Sequence, residues 1–194
     1  PGWDINQQAD ASELIWDARA TAENGLQFGA NIQLRYAGNV TTDESWIDFA
    51  GAWGRIVLGD DDGVVDNLEV SGDSVLPLGA YDTARFTGAI ASPAGFQSGS
   101  AAAGVVGESA DASKIAYYTP RFAGFAAAVS VTPDTGSTFG SNNTGAVGAY
   151  GNVVESALTY TNQLGEFGVK LSVGYVAGDS FATGGASRQD VGSL

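Results

Sequence analysis

The residues best equipped for chemistry in this sequence are carboxylates. Asp60, Asp61 and Asp62 run straight into Gly63, and Asp66, Glu69, Asp73, Asp82, Glu108 and Asp111 follow, against Arg85 as the only base in that stretch. Hard cations take oxygen ligands, so Asp60 and Asp62 admit a calcium reading, although an EF-hand loop places its acids at alternate positions before the glycine. A solvated acidic turn is the alternative. The chain has no His and no Cys. That excludes Ser-His-Asp and Cys-nucleophile catalysis, and with them the usual zinc, haem and iron–sulfur ligand sets. Glycosidase-type chemistry needs two carboxylates held about 5 to 9.5 Å apart, and no spacing here singles out one pair. The sequence therefore reads as a non-enzyme, with calcium the only cofactor in question.

Charge points the same way. With 8 Lys and Arg against 22 Asp and Glu, the formal charge is −14. Such a chain is repelled by phosphate backbones and attracts cations, so nucleic acid is not an expected partner. The apolar residues form no run long enough for a membrane-spanning helix. The sequence opens at Pro1 with no signal peptide and contains no Met, which reads as a processed, trimmed or partial chain.

What must position the carboxylates is a set of strands. In residues 13–23, Leu14, Trp16, Ala18, Ala20 and Ala22 share one side and Glu13, Asp17, Arg19, Thr21 and Glu23 the other, with Ile15 the exception. Asn24-Gly25 is a two-residue hairpin signal. Beyond it, Leu26, Phe28, Ala30, Ile32, Leu34 and Tyr36 alternate with Gln27, Gly29, Asn31, Gln33 and Arg35. Further strands are expected at about 44–50, 54–60, 113–119, 125–132, 152–161 and 167–177, with Phe167, Val169, Leu171, Val173 and Tyr175 on one face of the last. The clearest segments run about ten residues, the length a tilted strand needs to cross a bilayer.

Connections alternate in length. Short links fall at Asn24-Gly25, 51–54, 121–124 and 162–166, and longer ones at 37–43, 61–112, 133–151 and 178–190. Tight turns on one side and long loops on the other mark an up-and-down membrane barrel. Tyr36, Trp46, Phe49, Trp53, Tyr117, Phe122, Phe125, Tyr160, Phe167 and Tyr175 lie near strand ends, where interfacial girdles belong. Aromatics plugging a soluble sandwich core would be the competing explanation.

Three motifs carry a family resemblance. Asn24-Gly-Leu-Gln-Phe-Gly-Ala30, Gly54-Arg-Ile-Val-Leu-Gly59 and Tyr117-Tyr-Thr-Pro-Arg-Phe-Ala-Gly-Phe125 resemble the Gram-negative trimeric outer-membrane porins, most closely their alphaproteobacterial branch. The third is the most specific, because in that family such a turn follows the long constriction loop. The resemblance covers roughly residues 12–61 and 113–176. It implies an all-β, transmembrane antiparallel up-and-down β-barrel of about 16 strands, with about 8 present here and the first and C-terminal strands outside this sequence. Eight strands could not close alone around the small inward set of Gly29, Ala116, Ala126, Ala128, Ser130, Gly168, Ser172 and Gly174.

The resemblance further implies a single β-barrel domain in the bacterial outer membrane, with 61–112 folded into the lumen as the constriction loop. The function it implies is passive diffusion of small hydrophilic solutes and ions. Asp60, Asp61, Asp62, Asp66, Glu69, Asp73 and Asp82 would make one wall of the constriction acidic and cation-selective. Arg19, Arg35, Arg55, Lys114 and Lys170 fall on polar strand faces and would line the pore, with Arg19, Arg55 and Lys114 on strands that supply the family's basic wall. Solvated strand residues paired with neighbouring acids are the bland alternative for each base. Expected partners are identical subunits in a trimer, outer-membrane lipid and lipopolysaccharide, and small solutes and cations. A surface adhesin or receptor barrel without an open pore is the competing function, and it would call for a plugged interior.

Overall fold

The computed structural model describes residues 12–36, 39–70, 109–136, 150–180 and 187–193. Its strands are β1 (Ser12–Thr21), β2 (Gln27–Tyr36), β3 (Val40–Gly51), β4 (Gly54–Asp60), β5 (Ser113–Tyr118), β6 (Phe125–Asp134), β7 (Tyr150–Leu164), β8 (Phe167–Ser180) and β9 (Ser187–Ser193). They form one sheet in chain order, each antiparallel to the next.

The period of two sets the faces. Across β1 and β2, Leu14, Trp16 and Ala18 register with Leu34, Ile32 and Ala30, while Glu13, Asp17 and Arg19 register with Arg35, Asn31 and Gly29. One face of the sheet stays uncovered and apolar, with Phe28, Ile32, Ile47, Ile115, Val129, Leu158, Leu171 and Val173 all exposed. Water would penalise a bare apolar surface spread over so many strands, whereas lipid would not. The other, inner face carries the polar set and is partly covered by the chain itself.

Turns at one end are tight and conformationally specific. The β1–β2 link is a three-residue loop rather than the expected two-residue turn: the Ala22 carbonyl accepts the Gly25 N–H at 2.9 Å and only Gly25 takes a positive φ, 82°. At β5–β6, Ala123 and Gly124 both have positive φ (50° and 89°), the two-residue geometry that matches strand twist. A Cβ on Gly124 would sit 2.7 Å from the Thr161 carbonyl oxygen. Aromatics gather at this rim: Phe28 registers with Phe49, and Phe125 and Tyr160 have centroids 4.6 Å apart. Trp46 is not among them.

Three boundaries depart from the periodicity. β3 starts at Val40, so the expected link at 37–43 shrinks to 37–39; Arg35 and Leu34 pair with Thr41 and Thr42 although that stretch has no apolar alternation. β6 continues past Pro133, with Thr132 and Asp134 still in register with Val153 and Gly151 of β7. The expected loop at 178–190 is largely strand. β8 reaches Ser180 and a ninth strand, β9, pairs back through Asp179↔Arg188 and Ser180↔Ser187. Polar and glycine residues on both parities hide these rim segments, because backbone pairing needs no apolar face.

After β4 the chain turns over the inner face. A four-residue helix, α1 (Val64–Asn67), packs against β6, β7 and β8. Val64 is fully buried with Val57, Ala116 and Ala128, and Val65 packs on Val153 and Val176. The Val70 N–H reaches Ser172 Oγ on β8 at 2.9 Å. Small side chains at Ala116, Ala128 and Ala157 leave the sheet flat enough for this approach.

Placing a charge on the uncovered face separates lipid contact from solvent contact. Leu158→Arg, on the uncovered face of β7, is expected to destabilise the full-length protein in bilayers by about 2–4 kcal/mol, read from reversible urea unfolding. A cost within about 0.5 kcal/mol, as at a solvated surface, would mean that water covers this face.

Candidate functional site

A polar grouping on the inner face is built by β1, β3, β4 and β5. Arg19 donates from its guanidinium to Asp48 Oδ1 at 2.6 Å and to the Asp17 carboxylate at 2.8 and 3.0 Å. Arg55 approaches the other Asp48 oxygen at 3.3 Å. Asp48 is 2% exposed while the Arg19 and Arg55 side chains are 46% and 35% exposed, so a buried anion holds two half-open cations. Trp46 lies between them, its ring centroid 5.2 Å from the Arg19 and 4.8 Å from the Arg55 guanidinium carbon, and Tyr118 lies 5.8 Å from Arg55. Aromatic faces and one shared carboxylate thus fix the direction of two otherwise mobile side chains. Gly29 registers with Arg19 and Asp48 and has no room for a Cβ beside them.

Facing this wall is the segment that leaves β4. A cavity of about 510 Å³ separates Gln33, Glu44, Trp46, Arg55 and Tyr118 on the strands from Asp61, Asn67 and Leu68 on the segment. Asn67 Nδ2 donates to the Tyr118 hydroxyl at 3.1 Å and to the Asp62 carbonyl at 3.0 Å, tying α1 to the wall. Glu44, Asp62 and Asp111 each bring a carboxylate oxygen within 4.8 Å of the others. Burial, and then the charges of Asp66, Glu44 and Asp111, push Asp62 up to about 8. Burial also raises Asp61, against the pull of Lys114 and Arg55, and raises Asp111 with help from Asp43.

The expected site residues distribute unevenly. Arg19 and Arg55 come together as described. Arg35 sits at the far end of β2 and pairs with Asp43 at 3.5 Å, and Lys170 lies near the start of β8 in register with Thr161; neither joins the Arg19–Arg55 group. Lys114 has the expected parity but is 5% exposed. Its ammonium donates to the carbonyls of Asp61 and Ala110, so it is covered by the segment instead of lining open space. Asp66 and Glu69 are exposed and Asp61 is buried. Asp60 departs from the acidic wall: it registers with Ser45 and Ser113, the parity opposite Trp46 and Lys114, and accepts a hydrogen bond from Ser113 Oγ. The calcium pairing of Asp60 with Asp62 is accordingly not the grouping found, since Asp62 stands with Glu44 and Asp111. Asp73 and Asp82 lie outside the described residues.

Comparison with known proteins identifies the family and the fold. The family model described as Gram-negative porin matches residues 2–193. The chain belongs to the Gram-negative porin family. Among solved structures it is similar to the anion-selective porin from Comamonas acidovorans, with a TM-score of 0.60 at 19% identity over 96% of this chain and 53% of that one. The chain therefore spans about half the length of that porin. No curated protein matches. Family and fold together place this porin in the bacterial outer membrane, as an all-β antiparallel up-and-down barrel sheet.

Sequence reasoning missed Trp46 as a member of the Arg19–Arg55 wall, and Glu155, which accepts the Val65 and Ser109 N–H groups. Parity offers a signal for Trp46, which with Asp48 alternates with the exposed Ile47 and Phe49. Because Asp62 holds its proton far above the unfolded carboxylate range, the seated state binds more protons than the open one. Its stability is full below about pH 4 and falls as pH rises through about 8. Amides of residues 61–70, corrected for intrinsic rates, are expected to exchange faster at pH 9 than at pH 5, and Asp62→Asn to flatten that dependence. Equal protection at both pH values in the unsubstituted protein would contradict the sign.

Proposed function

We propose that the complete protein is a passive diffusion channel for small hydrophilic solutes and ions, with the 61–112 segment folded into its lumen as the constriction. The observation that carries this reading is the cavity between the Arg55–Trp46–Tyr118 wall and the segment bearing Asp61. Opposite charges across a narrow polar gap order water and select solutes by width and charge, with no bond chemistry required. The adhesin alternative is disfavoured by small inner-face residues such as Gly29, Ala126 and Gly174, which do not plug a lumen.

Within this reading the channel favours cations. Asp66 and Glu69 are exposed and no Lys or Arg lies within 61–70 and 109–112, while Asp62 holds its proton and adds no charge at neutral pH. The wall bases are spent on acids: Arg19 on Asp17 and Asp48, Arg55 on Asp48, and Arg35 on Asp43. The similar Comamonas porin is anion-selective by name, but at 19% identity the likeness concerns the fold. Assembly as a homotrimer with lipopolysaccharide around it belongs to the same proposal and draws its support from the family.

Full-length protein in a planar bilayer under a KCl gradient is expected to open in steps with a cation-selective reversal potential. That potential should weaken at acidic pH and in Asp66→Asn/Glu69→Gln, while steps in threes would support a trimer. No current from verifiably inserted protein would contradict the channel, and an anion-selective reversal potential would contradict its charge preference.

A further inference from the structure

Glu155 is the largest fully buried side chain among the described residues, and its position on β7 has no place in solute selection. Its two oxygens serve two stretches of chain that are distant in sequence. Oε2 accepts the Val65 N–H at 3.2 Å from the limb leaving β4, and Oε1 accepts the Ser109 N–H at 2.7 Å from the limb returning to β5. Lys114 repeats the pattern with reversed polarity, donating to the Asp61 carbonyl of the outgoing limb and the Ala110 carbonyl of the returning one. One anion thus takes an N–H from each limb, and one cation gives an N–H to a C=O of each.

The surroundings fit this arrangement. Gly63 passes so close that a Cβ there would overlap the Glu155 carboxylate. Ser130, in register with Glu155, and Thr132 lie on the same inner parity of β6 and are both buried. A buried charge is tolerated only when its hydrogen-bonding capacity is filled, and here backbone groups of the segment fill it. Conversely, a segment leaving a sheet carries amides and carbonyls that need partners, and this pair supplies four of them.

We propose that Lys114 and Glu155 form a two-residue clasp that closes the base of the segment between β4 and β5 and holds both its limbs on the inner face. Its consequence for conduction rests on the channel reading: a clasped base holds 61–70, and with them the cavity wall that carries Asp61, in a fixed place. Both are positioning residues.

The test is amide exchange on full-length protein in detergent, with single-channel recording as a separate readout. In Glu155→Gln, amides within 61–68 and 109–112 are expected to exchange roughly tenfold to a hundredfold faster, with the β6–β7 and β7–β8 ladders unchanged. Glu155→Asp, which keeps the charge but is one methylene short, should protect one limb and not both. Lys114→Met should loosen the same two stretches and carries the test if Glu155→Gln fails to fold. In bilayers the variants should show noisier open currents. Unchanged exchange at both limbs, or equal loss throughout the strands, would overturn the clasp. Loosened limbs in a protein whose parent passes no current would leave the clasp standing and sink the channel reading.

Discussion

A strand that leaves a sheet must find new partners for every amide and carbonyl it exposes, and the two walls of the cavity follow from where residues 61–70 find theirs. They find them on the inner face. That face can receive a chain because Ala116, Ala128 and Ala157 project little beyond Cβ, and because Val57, Val153 and Val176 give Val64 and Val65 apolar contact. Larger residues at the floor would lift the segment away from Glu155 and Lys114, and the cavity opposite Arg55 would lose its second wall. The apolar face needs no such device, since lipid satisfies it.

Electrostatics on the two walls are built differently. On the strand wall a single buried carboxylate, Asp48, orients Arg19 and Arg55, with Trp46 and Tyr118 supplying aromatic faces. Here charge is neutralised pairwise and geometry is rigid. Across the cavity the acids crowd: Asp62 and Asp111 of the segment converge with Glu44 of β3, and burial with these charges pushes Asp62 up to about 8. A rigid, compensated wall faces a titratable one, so changes in pH act chiefly on the segment.

Much of this was legible in the chain, for identifiable reasons. A period of two over ten residues exposes both faces of β1, β2 and β8, so the parity of Arg19 and Lys170 follows directly from alternation. Parity says nothing about what later covers a side chain, which is why Lys114 reads as lining and proves buried. Trp46 reads as a girdle residue because its spacing suits either role; only the register with Asn31 and Gly59 puts it between two arginines. β9 and the start of β3 are polar on both parities and leave no period to detect. Glu155 is the least legible, since its partners lie 90 and 46 residues away and nothing local distinguishes it from a solvated glutamate.

The chain contains no cysteine, which makes a direct test of the segment's seat simple. Val70→Cys can be combined with Ser172→Cys, whose parent side chain meets the Val70 N–H at 2.9 Å, or with Leu171→Cys on the uncovered face, where Leu171 is 60% exposed. Under mild oxidation of full-length protein in bilayers, the first pair is expected to cross-link readily and the second not at all. Cross-linking of the second pair, or of neither, would contradict a segment lying on the inner face.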